Sequence, residues 1–296
     1  MIIISCSHGK HLGYLIAKKL NKQHSNLLVD KFPDDELHIR FKSDLQSKSV
    51  ILVQSFYKDI SDCIIEIIFA AKTAHELGAK KVVLVAPYFA YLRQDKRFHK
   101  GEAVSQSIMA GLIDKYFDSV YLIDPHLHRK NKLEHIFKIK TKKLTANSLI
   151  ADYIKKHIKN PVIIGPDEES YKWAKNVAEM LGVESRILEK KRYSSYHVEV
   201  KLNKKINLRD KNIVIVDDII STGHTILETA KILKGLGAKK IYCICIHGIF
   251  ADNALDKLKK AKIDVTATNT IPNKAAKIDV SSVISESLTE SLKNLK

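Results

Sequence analysis

Two adjacent acids, Asp217 and Asp218, close the apolar run Asn212-Ile213-Val214-Ile215-Val216, and Ser221, Thr222 and Gly223 follow after two isoleucines. A helical pattern, Ile226-Leu227-x-x-Ala230-x-x-Leu233, comes next. Ionised carboxylates at the end of a buried strand are costly unless paired or solvated. They can accept sugar hydroxyls or hold a hydrated magnesium ion. Main-chain N–H groups at a helix start bind an anion, hydroxyls add hydrogen bonds, and glycine permits close approach. The plainer reading is a helix N-cap whose acids favour the dipole.

Four other stretches carry chemistry-bearing residue types. Arg93-Gln94-Asp95 offers a planar guanidinium fork to a phosphate, beside two side chains able to bond nucleotide groups. Asp124-Pro125-His126 ends an apolar run, and Pro166-Asp167-Glu168-Glu169-Ser170 places acids where a helix begins, which the dipole favours. Lys190-Lys191-Arg192 is a basic run able to neutralise a transferring group. His128 follows His126 at the alternating position, but no second cluster has zinc-ligand spacing.

The chain has 296 residues, enough for one large domain or two ordinary ones, and 45% of them are hydrophobic. No segment approaches the roughly 18 apolar residues of a membrane span. The start, MIIISCSHGK, lacks the features of a signal peptide, so a cytosolic protein is expected. Cys6, Cys63, Cys243 and Cys245 form no paired motif and read as core thiols. Fifty basic residues against 33 acids give a net charge of +17. That field suits polyanionic small substrates, while the scattered lysines and missing recognition motifs argue against nucleic acid.

Strand-like and helix-like segments alternate, the mark of an α/β chain with mostly parallel sheets flanked by helices. Strands are expected at 2–5, 50–54, 82–86, 120–123, 162–164, 212–216, 241–246 and 263–267, with Glu36–Phe41 at an edge. Helices are expected at 61–77, 102–116, 168–181, 223–236 and 282–294. An internal repeat organises them: LGAKKVVLV at 77–85 matches LGAKKIYCI at 236–244, VILVQS at 50–55 matches IVIVDD at 213–218, and IIISCSHG at 2–9 matches VIIGPDEE at 162–169. Two copies of one unit follow, 1–146 and 147–296, with a return of the last helix to the first unit left open. Gln54-Ser55 stands where the second copy has Asp217-Asp218, which points to one functional centre in the second copy.

The string VDDIISTGHT resembles the phosphoribosyl diphosphate signature of type I phosphoribosyltransferases and their relatives, the ribose-phosphate diphosphokinases. The resemblance implies two tandem phosphoribosyltransferase-like domains. It also implies that Asp217 and Asp218 contact ribose hydroxyls while Ser221, Thr222, Gly223, His224 and Thr225 enclose the 5-phosphate. His224 stands where a small residue is usual. Phe32-Pro33-Asp34-Asp35-Glu36 resembles the adenine element that a neighbouring subunit supplies, which implies ATP contacts from Phe32, Asp34 and Glu36 and a homo-oligomer, a dimer or a hexamer built from dimers. Pro87 to Asp95 resembles the diphosphokinase block, placing Arg93, Gln94 and Asp95 on ATP. Asp124-Pro125-His126 is similar to the family's strand-end element, with His126 facing the ATP phosphates and magnesium, and Asp167 is the second metal candidate. Lys190 and Arg192, where the family has a mobile loop, would be catalytic together with His126 and Arg93. Thr268-Asn269-Thr270-Ile271-Pro272 resembles a further element, expected to be structural.

The activity so implied transfers the diphosphoryl group of ATP to the anomeric hydroxyl of ribose 5-phosphate. The products are 5-phosphoribosyl 1-diphosphate, used in nucleotide biosynthesis, and AMP. Two rivals stand beside it. A phosphoribosyltransferase would use the second half alone, and a non-catalytic regulatory paralogue would not need the Lys190–Arg192 pair.

Overall fold

Ile2, Ile3 and Ile4 are apolar at every position rather than at alternate ones, the pattern of a strand covered on both faces; all three are at most 1% exposed. The computed structural model describes residues 1–127, 132–192, 198–202, 208–209 and 211–293, with the side chains of 189–192, 198–202 and 292–293 outside that description. Its contacts divide the chain into two units, Met1–Thr145 joined by the last helix, and Ala146–Val280.

The first unit contains β1 (Ile2–Ser5), α1 (Lys10–Leu20), β2 (Gln23–Asn26), β3 (Leu28–Lys31), β4 (Leu37–Arg40), β5 (Ser49–Val53), α2 (Ile60–Glu76), β6 (Lys81–Ala86), α3 (Ser105–Tyr116), β7 (Ser119–Ile123) and β8 (Lys140–Leu144). Six of these strands form one sheet in the order β2-β1-β5-β6-β7-β8, parallel throughout. β3 and β4 pair antiparallel as a separate ribbon, so the ELHIRF segment does not lie at the edge of the main sheet. Lysines on β8, the edge strand, discourage further pairing there.

The second unit contains α4 (Asn147–His157), β9 (Pro161–Gly165), α5 (Tyr171–Leu181), β10 (Ser185–Arg192), β11 (Val198–Leu202), β12 (Asn212–Ile220), α6 (His224–Gly235), β13 (Lys240–Gly248), α7 (Ala254–Lys260), β14 (Ile263–Thr268) and β15 (Ala276–Ile278). Its sheet runs β11-β10-β9-β12-β13-β14-β15, and only the β10–β11 pair is antiparallel. The final helix, α8 (Ser281–Lys293), packs on α1 in the first unit, where Tyr121 donates its hydroxyl to Ser291 Oγ at 2.7 Å.

Strand for strand, β2-β1-β5-β6-β7-β8 has the topology of β10-β9-β12-β13-β14-β15. The repeat is also kept in backbone detail. After α2, Gly78 at φ +78 donates to the His75 carbonyl and Ala79 to that of Ala74. After α6, Gly237 at φ +89 donates to Lys234 and Ala238 to Leu233. Both are Schellman caps, which need a left-handed residue that glycine supplies at least cost. The repeated Leu-Gly-Ala-Lys-Lys string is therefore a helix stop and a strand start in each unit.

β12 runs further than its apolar stretch suggested, to Ile220 instead of Val216, so Asp217 and Asp218 lie within the strand. Its neighbour β13 is equally long and continues the pairing as far as Ile220 opposite Gly248. α1, α4 and α7, as well as the polar strands β2, β8, β10 and β11, were not foreseen from the apolar pattern.

Candidate active site

In each sheet the chain leaves one strand toward one side and returns to place the next strand on the other side. That reversal lies between β1 and β5 in the first unit and between β9 and β12 in the second. Crevices for ligands in open α/β sheets form at such points, beyond the carboxyl ends of the strands. In the second unit those ends carry Pro166-Asp167 and Asp217-Asp218.

Asp217 and Asp218 are 8% and 4% exposed. Asp217 Oδ1 accepts the Asp218 N–H, and Asp218 Oδ1 accepts that of Ile219, each at 2.9 Å. Burial pushes the Asp217 carboxyl well above the usual carboxylate range, and Asp218 and then Asp167 add to the push. Cys243 and Cys245, fully buried on β13, are held as neutral thiols by the same desolvation, with Asp217 adding to it. Three acids gathered at one crevice are an arrangement that donated hydroxyls or a cation would relieve. Asp167 Oδ1 accepts both the main-chain N–H and the hydroxyl of Ser170, at 2.9 and 2.8 Å, which fixes the carboxylate at the entry to α5.

The turn after β12 leads into α6, whose N-cap is Gly223 at φ +74 with no side-chain cap. A β-carbon there would stand 3.4 Å from both Ala254 and Leu258, on a backbone that side chains rarely adopt. Ser221 and Thr225 are half-buried and Thr222 is exposed. His224, the first residue of α6, turns its side chain outward: it is 76% exposed, with Nε2 3.1 Å from Glu228 Oε1. The bulky side chain thus lies along the solvent side of α6 toward Glu228.

At the matching place in the first unit the donors are engaged from within. Glu66, 2% exposed on α2, accepts the Ser7 N–H at 2.8 Å, the Ser7 hydroxyl at 2.5 Å and the Gln54 amide at 2.9 Å. Gln54 Oε1 accepts the His8 N–H at 2.8 Å. A built-in carboxylate so takes the donors that a ligand would need. Neither Glu66 nor its role was read from the sequence, although a lone acid on the buried Cys63, Ile67, Ala70, Ala74 face of α2 was a signal for it.

Other first-unit candidates sit on loops. Phe32, 50% exposed, and exposed Asp34 and Glu36 form the tip between β3 and β4. Asp35 has φ +71 where the resembling element carries glycine. After β6, Phe89 and Leu92 are buried while Arg93 is exposed. Gln94 is held by the Ser105 hydroxyl at 3.2 Å, and Asp95 is half-buried beside it. Asp124 is buried at φ +35 after β7 and His126 is half-buried; His128 lies outside the described residues. Lys190 and Arg192 belong by backbone to β10, opposite Val200 and Val198 of β11, and not to a loop.

Among the described residues no three histidine, cysteine or acidic side chains form a cation cage. Hard oxygen donors at Asp167, Asp217 and Asp218 fit magnesium, which takes one or two carboxylates and completes its shell with water and substrate phosphate. No helix among the described residues is long and apolar enough to cross a membrane.

Comparison with known proteins agrees with this layout. The profile of the "N-terminal domain of ribose phosphate pyrophosphokinase" matches residues 1–116, and that of the "Phosphoribosyl transferase domain" matches 133–284. A ribose-phosphate pyrophosphokinase of Pyrococcus abyssi is 36% identical over 283 residues, covering 95% of each chain. One from Methanothermobacter thermautotrophicus is 35% identical, covering 96% of this chain and 99% of its own. The crystal structure of phosphoribosylpyrophosphate synthetase from Mycobacterium smegmatis shares the fold, with TM-score 0.86 at 21% identity over 99% of both chains. With both halves matched in order and relatives aligned nearly end to end, the chain belongs to the ribose-phosphate pyrophosphokinase family.

Proposed function

We propose that this protein transfers the diphosphoryl group of ATP to ribose 5-phosphate, releasing AMP. The observation that carries the site assignment is the contrast between the two crevices: the second unit's ends in acids and an uncapped helix start, while in the first unit Glu66 takes the Ser7 and Gln54 donors. In this reading the N–H groups and hydroxyls from Ser221 to Thr225 hold the 5-phosphate, and Asp217 and Asp218 accept the ribose hydroxyls. The anomeric oxygen forms a bond to the β-phosphorus as the bond from that phosphorus to the oxygen kept by AMP breaks, and the hydroxyl proton is released. Such transfers need alignment and charge neutralisation more than a covalent nucleophile. Arg93, Lys190 and Arg192 supply positive charge to the migrating group. Phe32, Asp34, Glu36, Gln94 and Asp95 serve ATP.

Magnesium, the proposed divalent ion, would neutralise diphosphate oxygens when bound, with Asp167 in the second unit and His126 in the first as its proposed contacts. The exposed Phe32 tip is read as an adenine contact completed by a second copy of the chain, hence a homo-oligomer. A cytoplasmic setting belongs to the same reading, supported by four cysteines that are all unpaired. Incubation with magnesium, ATP and ribose 5-phosphate is expected to yield AMP and 5-phosphoribosyl 1-diphosphate in equal amounts. Formation of ADP, or no turnover, overturns the proposal.

A further inference from the structure

The carbonyl of Ile220, the last residue of β12, accepts two main-chain N–H groups, from Ile249 at 3.0 Å and Phe250 at 3.1 Å. That carbonyl shares one rigid peptide plane with the N–H of Ser221. Two bonds on the oxygen therefore fix the direction in which the first donor of the turn faces. The segment that supplies them is held in an unfavourable backbone: Phe250, Asp252 and Asn253 have φ of +51, +52 and +58. Residues bearing side chains keep such angles only where their surroundings over-determine them.

What holds the segment lies at its root. His247, 2% exposed, has Nδ1 2.9 Å from Thr270 Oγ1. The Thr270 hydroxyl donates to the Ile246 carbonyl at 2.9 Å, so its oxygen is left to accept from Nδ1–H. Thr268 donates to the same carbonyl at 2.7 Å, and the Asn273 amide donates to the Gly248 carbonyl at 3.2 Å. At the far end of the segment, Ala254 and Leu258 abut Gly223. The arm from His247 to Leu258 thus grips the turn at both ends, and Thr268 to Asn273 anchors the arm.

We propose that His247 and Thr270 are positioning residues for ribose 5-phosphate: their hydrogen bond sets the arm that orients the Ser221 N–H through the Ile220 carbonyl. The proposal rests on the reading that the turn from Ser221 to Thr225 holds the 5-phosphate. A purely structural pair would affect both substrates alike, whereas this one acts on the sugar phosphate alone.

The test uses the full chain with four substitutions at the pair, Thr270→Val, Thr270→Ser, His247→Phe and His247→Asn, and the double variant Ser221→Ala/Thr225→Ala. KM is measured for each substrate at saturating concentration of the other, and ribose 5-phosphate binding is followed by calorimetry. Thr270→Val and His247→Phe are expected to raise KM and Kd for ribose 5-phosphate about fivefold to tenfold, the effect of one lost hydrogen bond. KM for ATP stays unchanged. Thr270→Ser, which keeps the hydroxyl, and His247→Asn, which keeps an N–H near Nδ1, restore most of the affinity. An unchanged KM for ribose 5-phosphate in Thr270→Val, or equal changes for both substrates, overturns the brace. If the double variant loses ribose 5-phosphate while Thr270→Val and His247→Phe do not, only the brace fails. If the double variant binds normally, the reading of the turn fails and the brace with it.

Discussion

Glu66 grips Ser7 with both carboxylate oxygens, Oε1 on the main-chain N–H at 2.8 Å and Oε2 on the hydroxyl at 2.5 Å. Ser7 occupies the position that Asp167 holds in the second unit. One fold, used twice, therefore places a fixed internal carboxylate at one switch point and an acid-lined crevice at the other. Duplication supplied the geometry, and the side chains at the two switch points differ.

Glu66→Ala leaves the half-buried Ser7 N–H and hydroxyl and the buried Gln54 amide without their shared acceptor. Unmet donors of this kind are expensive, and a loss of about 2–4 kcal/mol is expected. Urea denaturation measures it. Glu66→Gln, which keeps one acceptor oxygen, should lose less; equal stability of the alanine variant and the parent would show that the carboxylate contributes nothing.

Much of this was legible in the sequence. Parallel strands buried on both faces announce themselves as unbroken apolar runs, and Ile2–Ser5 matches its expected bounds residue for residue. The Leu-Gly-Ala-Lys-Lys repeat was readable because a Schellman cap requires glycine. β8, with sequence KTKKL, was not: an edge strand with exposed lysines has no apolar periodicity to detect. α1 escaped for a related reason, since Gly13 interrupts its helical pattern. Lys190 and Arg192 sit in a strand whose antiparallel partner, β11, follows only six residues on, but the four consecutive charged residues from Glu189 to Arg192 leave no apolar alternation to detect. The acids at 217 and 218 were visible, but β13, which pairs with Asp217 through Cys245, lies beside them only in the fold, which no local pattern records. His247 fell one residue beyond the expected strand 241–246, and nothing local marks its partner Thr270, 23 residues on.

All four cysteines are buried. Burial and the nearby Glu66 push the Cys63 thiol up to about 12. Cys6, Cys243 and Cys245 are raised for the same leading reason, burial. Thiolates are the reactive form, so the native protein should be inert to a disulfide reagent at pH 8. In denaturant all four should react. Rapid modification of any thiol in the native state would mean that its strand or helix opens readily.

Arg93 is exposed and has no acidic partner among the described residues. Its removal should therefore cost the fold little, within about 0.5 kcal/mol. Arg93→Ala is expected to lower kcat by roughly 100-fold, as loss of a charge-assisted contact to a transferring group does. Arg93→Lys should recover only part, because an ammonium lacks the planar fork. Steady-state rates paired with denaturation midpoints check both statements, and a kcat near that of the parent would remove Arg93 from the site.

Asp217→Asn separates stability from function. The folded carboxyl keeps its proton to higher pH than the unfolded one, for which 3.8 is the usual value, chiefly through burial. The folded state thus binds more protons across that interval. The resulting stabilisation is complete below the unfolded value and is lost as pH rises through the folded one. Above the folded value the parent therefore carries a charged, crowded acid that asparagine does not, and there the variant should be more stable by about 1–2 kcal/mol. The difference should shrink steadily on acidification towards pH 4. Activity should move the other way, with kcat/KM for ribose 5-phosphate falling roughly 10- to 100-fold as a charged acceptor for the ribose hydroxyls is lost. Thermal melts across pH, set beside rates at pH 8, decide the matter. A variant both less stable and fully active would show that Asp217 serves the fold and leaves the sugar to other groups.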